Sequence, residues 1–155
     1  LLQVTRWGAI GKVGFNYGGV NMAILFPTDE WIKALHNELN RSKDYKEAAQ
    51  KWEGDICFVI KKGAGVPGDT YLYLDLWHGM SRDAYESSTP IRSEFTISAP
   101  LTTWKRVIEG KLDPIRGIMS RQLKLSGPMT KILKAPKAAV ELVNCATKID
   151  TEWPV

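Results

Sequence analysis

Between Leu72 and Leu76 every second residue is leucine, while Tyr71, Tyr73, Asp75 and Trp77 fill the positions around them. Side chains on a β-strand point alternately to two faces, so Thr70 to His78 reads as a strand with one purely aliphatic face. A face of that kind cannot remain in water. The chain must therefore build a sheet and lay apolar material over one side of it. Neighbouring segments supply the sheet. Ile56 to Lys61 is a short apolar run, and Ser81 to Ser87 reads as a polar hairpin partner. Ile91, Ser93, Phe95 and Ile97 alternate against Arg92, Glu94, Thr96 and Ser98, the pattern of a half-buried antiparallel strand. Gln122 to Ser126 reads as the last strand, with Leu123 and Leu125 on one side.

The cover is helical. Phe26-Pro27-Thr28-Asp29-Glu30 is a helix start: Thr28 caps, and two acids fall where the helix dipole favours them. Trp31, Ile32, Leu35 and Leu39 then share one face. Ser42 caps a second helix carrying Tyr45, Ala48, Ala49 and Trp52, with Gly54 as its stop. Thr102 or Thr103 caps Trp104 to Glu109, whose inward residues are Trp104, Val107 and Ile108, and Gly110 ends it. Asp113-Pro114 opens Ile115 to Ser120. Pro128 and Pro136 open two more helices, the last reaching about Ile149. On that last helix Ala138, Ala139, Leu142, Val143, Cys145, Ala146 and Ile149 cover a wide arc. A helix this apolar lines a cavity, joins a dimer or sits deep in the core.

A length of 155 residues suits one domain, and no apolar run approaches the ~18 residues of a membrane span. Residues 1–21 are Gly-rich and weakly patterned and hold two basic residues, Arg6 and Lys12, without an acid. They read as an N-terminal extension or an appended leader, with the domain proper covering 22–155. The alternative is an extra edge strand or arm around Val13 to Tyr17. The segment lacks the pattern of a signal peptide. Cys57 and Cys145 are too few for a disulfide framework and are expected as reduced thiols in a cytoplasmic protein.

Chemistry-bearing motifs are sparse. Gly63-Ala64-Gly65-Val66-Pro67-Gly68 matches the dinucleotide fingerprint in letters, but a strand follows it where a helix is required, so it reads as a hairpin loop. His36 and His78 are the only histidines, too few for a catalytic zinc site. His36 is expected at the surface. His78 and Asp75 lie at odd spacing, on opposite sheet faces, and form no dyad. Neither cysteine has a histidine near it in sequence to act as base. No catalytic residue, metal site or cofactor is expected.

Between Pro114 and Val140 stand six basic residues and no acid: Arg116, Arg121, Lys124, Lys131, Lys134 and Lys137. They serve either as contacts to anionic head groups or ligand phosphates, or as solvated faces of short elements. Ile115, Ile118, Met119, Leu123, Leu125, Met129, Ile132 and Leu133 lie between them. This exceeds the packing need of such short elements, and methionines suit an adaptable pocket wall as well as core filling. Stacking aromatics are not interleaved with the charges, so nucleic acid is not expected as a partner.

Taken together, the local motifs resemble the sterol carrier protein type 2 family over about Met22 to Ile149. The resemblance rests on three stretches. The first is the helix opening at Phe26-Pro27-Thr28-Asp29-Glu30-Trp31-Ile32, then Tyr45 to Trp52 and Glu53-Gly54-Asp55 entering a strand. The second is the strand Ile91 to Ser98 followed by a capped helix. The most specific is Gly110-Lys111-Leu112-Asp113-Pro114, Met119, and Gln122 to Gly127 before a helix. The resemblance implies an α+β fold, a five-stranded, mostly antiparallel sheet with helices over one face enclosing an apolar cavity. It implies non-catalytic binding and transfer of a fatty acid, fatty acyl-CoA, phospholipid or sterol. It places Trp77, Phe95, Ile97, Trp104, Ile115, Ile118, Met119, Leu123, Leu125, Met129 and Leu133 near the cavity. The chain ends Glu152-Trp153-Pro154-Val155, without the Ser-Lys-Leu-type address of peroxisomal members. That points to a cytoplasmic, prokaryotic-type relative and away from sterol itself. Expected partners are the lipid or acyl-CoA, transient contact with an anionic membrane surface, and a second copy in a homodimer. Two rival classes are an interaction or regulatory domain using the apolar helix Pro136 to Ile149, and a small enzyme on the same cavity fold.

Overall fold

The computed structural model describes residues 2–7, 10–17 and 20–155. The first elements are β1 (Leu2–Trp7), β2 (Ile10–Tyr17) and β3 (Val20–Met22), an antiparallel three-stranded sheet in that order. A strand does occupy Val13 to Tyr17. It pairs with β1 and β3 within this sheet. Then follow β4 (Ile24–Leu25), α1 (Asp29–Arg41), α2 (Lys43–Ala48), β5 (Glu53–Lys61), β6 (Thr70–Trp77), β7 (Met80–Ser87) and β8 (Phe95–Pro100). The second half holds α3 (Leu101–Ile108), α4 (Pro114–Met119), β9 (Lys124–Ser126), α5 (Met129–Leu133), α6 (Pro136–Thr147) and β10 (Thr151–Glu152).

The main sheet has five strands in the order β7-β6-β5-β8-β9, antiparallel except for the β5–β8 pair. Its inner face carries the aliphatic residues of the alternation. Ile56 pairs Leu74 and Phe58 pairs Leu72 on β6, and Phe58 pairs Ile97 on β8. Leu72, Leu74 and Leu76 are all buried, and the helices cover this face. The short pair β4–β10 ties the start of the helical layer to the end of the chain.

The side-chain caps follow ordinary local chemistry. The amides of Trp31, Tyr45 and Arg116 donate to Thr28, Ser42 and Asp113, which start α1, α2 and α4. Gly110 adopts φ 77° just past α3, the left-handed turn that glycine accepts without strain.

Several boundaries differ from expectation. β8 starts at Phe95, not Ile91, because the preceding residues cross the outer face of the sheet. There the Glu94 amide donates to Asp55 Oδ1 at 2.7 Å. This crossing connection makes β8 parallel to β5, and it is antiparallel only to β9. α3 begins at Leu101 directly after the strand with Pro100 as its N-cap, so Thr102 and Thr103 lie inside its first turn and do not cap it. α2 ends at Ala48, before Gly54. Trp52 lies beyond it and donates its indole N–H to Gly54 O at 2.9 Å. The Gly63–Gly68 segment is a hairpin loop, closed by reciprocal Gly63–Val66 backbone bonds of 2.9 Å.

Candidate functional site

Sheet and helices do not meet completely. Between them lies an apolar cavity of about 110 Å3. Its floor is the inner face of the sheet: Ile56, Phe58, Leu72, Leu76 and Ile97. One wall comes from α1 and its approach, with Phe26, Trp31, Ile32 and Leu35, extended by Tyr45 and Trp52. Facing it are Trp104, Val107 and Ile108 of α3 and Pro114, Ile115 and Ile118 of α4, then Leu123. Ile132 of α5, Ala135, and Ala138, Ala139, Leu142, Val143 and Ala146 of α6 complete it.

This lining presents hydrocarbon almost without exception. Its three tryptophans turn their indole N–H groups to the protein. Trp31 donates to Thr151 Oγ1 at 2.9 Å, Trp52 to Gly54 O at 2.9 Å, and Trp104 to Val59 O at 3.0 Å. Trp104 also meets Phe58 edge to face, with ring centroids 5.6 Å apart. Tyr45 is buried, and burial pushes its phenol pKa up, so the ring stays neutral. α4 approaches closely because residue 117 is glycine: a Cβ there would stand 2.8 Å from Leu123 Cδ1.

The wall is uneven in thickness. Trp31, Ile32, Leu35, Leu72, Leu76 and Ile97 are buried. Ile115, Ala135, Ala139, Leu142 and Val143 are half-buried. Trp52 and Phe58 are half-buried as well, so the lining thins on more than one side, most widely along α4 and α6.

Of the residues the resemblance placed near the cavity, Ile97, Trp104, Ile115, Ile118 and Leu123 line it and six do not. Trp77 belongs to the outer phase of β6, 37% exposed, with Arg82 4.5 Å above its ring. Phe95 is buried on the inner face, but Trp52 stacks on it at 5.4 Å and screens it from the cavity. Met119 and Met129 point outward from α4 and α5. Leu125, on the edge strand β9, and Leu133, at the end of α5, pack half-buried against the core. The residues named from sequence as near the cavity left out α1 and α6, although cavity lining was one of three readings of α6. Their stripes were visible, but apolar periodicity does not distinguish a residue that touches another side chain from one that touches a void.

The titratable groups lie elsewhere. His36 is half-buried, not a free surface residue, and its Nδ1 lies 2.7 Å from Ser81 Oγ. Asn40 fixes the direction of this contact. Its amide is locked by Ser81 N–H donating to Oδ1 (2.8 Å) and Nδ2 donating to Ser81 O (2.9 Å). Nδ2 also faces His36 Nε2 at 3.3 Å, so Nε2 accepts. Nδ1 then carries the proton and donates to the serine oxygen, the reverse of what a base must do to activate a nucleophile. His78 pairs with Glu53 at 2.5 Å, whereas Asp75 pairs with Arg82 at 3.1 Å. Burial pushes the Cys57 thiol up to about 11 and raises that of Cys145 as well, which leaves both protonated. Among the described residues no group of three or more potential ligands could hold a metal ion, and no helix is long and apolar enough to cross a membrane.

Comparison with known proteins identifies this arrangement. The profile of the SCP-2 sterol transfer family matches residues 32–139. A crystal structure of sterol carrier protein 2 superposes with a TM-score of 0.74 at 35% identity, covering 79% of this chain and 97% of the other. A solution structure of a conserved hypothetical protein from Thermus thermophilus, described as a candidate sterol carrier protein, gives 0.76 at 30% identity, covering 89% and 97%. Sterol carrier protein 2 from Yarrowia lipolytica, in its apo form, shares the fold at 22% identity and TM-score 0.51, covering 75% and 88%. No curated protein sequence matched. With this sheet order, this helical cover and a profile match across most of its length, the chain belongs to the SCP-2 sterol transfer family.

Proposed function

We propose that this protein holds a lipid with a long hydrocarbon chain (a fatty acid, fatty acyl-CoA or phospholipid) in the cavity between sheet and helices, and passes it on chemically unchanged. One observation carries the reading: the cavity between sheet and helices is lined from every side by hydrocarbon, with its indole N–H groups already bonded to protein. Such a lining offers an apolar chain transfer from water and offers a polar substrate nothing. Burial is worth about 0.8 kcal/mol per methylene. A chain of ~14 methylenes therefore gains roughly 11 kcal/mol, against an association cost of about 4–15 kcal/mol. The reversed Ser81–His36 contact and the protonated thiols support a role without covalent chemistry. Two buried, unpaired cysteines suit a reducing, cytoplasmic setting.

The cavity of about 110 Å3 is smaller than an engineered cavity of ~150 Å3 that accepts benzene. A lipid chain therefore needs the cavity to widen, and the half-buried α4–α6 wall is where the least packing is lost when it does. Titration with a fluorescent fatty acid, read by energy transfer from Trp31, Trp52 and Trp104, tests the reading. Saturable uptake at one molecule per chain is expected. Absence of uptake for fatty acid, acyl-CoA and phospholipid probes alike would overturn it.

A further inference from the structure

Tyr45 is the exception in the cavity wall. It stands on α2, 1% exposed, with its ring against the cavity. Its hydroxyl has no hydrogen-bond partner among the described residues. Among those residues Glu38 Oε2 is the one side-chain atom both closed in by protein and without a hydrogen bond, its Arg41 neighbour at 3.2 Å being misaligned for one. The Tyr45 hydroxyl is therefore not closed in but borders open space, and the space along its ring is the cavity. The other polar side-chain atoms of the wall are committed, since Trp31, Trp52 and Trp104 give their N–H groups to Thr151, Gly54 and Val59. The remaining wall residues carry hydrocarbon alone. The polar groups that adjoin Tyr45 are occupied as well: Ser42 Oγ accepts from the Tyr45 amide at 3.0 Å, and the Cys145 thiol donates to Glu38 O at 3.8 Å. Phenylalanine would serve a wall built for hydrocarbon alone.

We propose that Tyr45 is a specificity-determining residue of the cavity, its hydroxyl pairing with a hydroxyl carried on the hydrocarbon chain of the bound lipid. This rests on the reading of the cavity as a lipid site, and it names the class of chain that the site selects. A plain chain that fills the cavity shuts the phenol away from water and leaves it unpaired, which opposes binding. A chain with an oxygen at the matching depth restores the bond. Both hydroxyls donate and accept, so the pair can form in either direction. Charge decides against an ionised group at this point. No charged residue lines the space, and a carboxylate buried without a cation is far costlier than a neutral hydroxyl. Burial likewise keeps the phenol itself neutral. The acidic head group of a lipid therefore belongs outside the wall, and the oxygen that meets Tyr45 is one within the chain.

The test is displacement of a fluorescent fatty acid from the full chain by stearate and by a series of monohydroxystearates whose hydroxyl moves along the chain. With the unaltered protein, one position or a short run of neighbouring positions is expected to bind at least as tightly as stearate. Hydroxyls elsewhere are buried against hydrocarbon and weaken binding. Tyr45→Phe is expected to weaken the favoured hydroxystearate about tenfold and to hold stearate as tightly as before or more tightly. Its Tm should stay level or rise, since the lost hydroxyl has no partner in the protein among the described residues. Uniform weakening by a hydroxyl at every position, or a positional preference that survives Tyr45→Phe, would overturn the proposal while stearate binding still upheld the cavity. Equal loss of stearate and every hydroxystearate in Tyr45→Phe, with a lowered Tm, would make the hydroxyl structural and overturn it too. No binding of the fluorescent acid or of any stearate would overturn the cavity reading and the proposal with it.

Discussion

His36 joins α1 to β7 in one protonation state only. Its Nε2 accepts from Asn40 and its Nδ1 donates to Ser81, so the neutral imidazole completes a chain running on to the Asp83 carbonyl at 3.4 Å. Burial lowers the pKa of His36 from its ordinary 6.5, Asp83 acts against that shift, and Lys33 adds to it. A histidine with a depressed folded pKa binds fewer protons folded than unfolded, so its contribution is present above pH 6.5 and is lost as the pH falls below it. Protonation would also set an N–H of His36 against the locked N–H of Asn40. Thermal unfolding followed between about pH 7 and about pH 5 should therefore show a larger fall in Tm for the unaltered chain than for His36→Gln. Equal falls would mean that the network does not discriminate between the two protonation states. At this scale the sequence was legible wherever a residue's role is local. Thr28, Ser42 and Asp113 cap where their side chains can reach amides three residues on. His36 was not legible in this way, because its partners Ser81 and Asp83 are more than forty residues distant and no local pattern joins them.

Among the elements, α6 determines what the cavity can hold. Ala138, Ala139 and Ala146 present small side chains to the space, and larger ones there would fill it. Ala139→Leu is expected to occupy the place of about three methylenes, a loss of roughly 2.4 kcal/mol and so about fiftyfold in fatty acid affinity. Because the three added carbons enter existing space, Tm should stay level or rise. Titration and a melting curve on the same sample check both, and unchanged affinity would place the ligand elsewhere. The wide apolar arc of α6 signalled from sequence that something unusual faced it, and a cavity was one of three readings. The direction of β8 was not legible. Alternation looks the same in a parallel and an antiparallel strand, and only the path of the Thr89–Glu94 connection across the outer face settles it. The start of α3 was missed for a related reason: the helix follows the strand without a turn and has no side-chain cap to mark it.

At the scale of the whole molecule, a one-faced sheet and an incomplete helical layer leave a space that no single element encloses. The aliphatic alternation of Leu72, Leu74 and Leu76 was enough to require the two layers, and family resemblance supplied the strand count and the cavity between them. Which residues touch the cavity was only partly legible. Trp77, Met119 and Met129 have the right chemistry, yet they lie on outward phases set by strand and helix geometry. Phe95 has the right phase and is screened by Trp52, which comes from another part of the chain. The assignment of the hydrocarbon-lined cavity turns on a ligand being carried. Native mass spectrometry of the purified protein, followed by organic extraction and identification of what is released, tests this most directly. A mass increment corresponding to one lipid per chain, released as an intact fatty acid, acyl-CoA or phospholipid, is predicted. A bare chain mass that stays unchanged after incubation with those same lipids would contradict it.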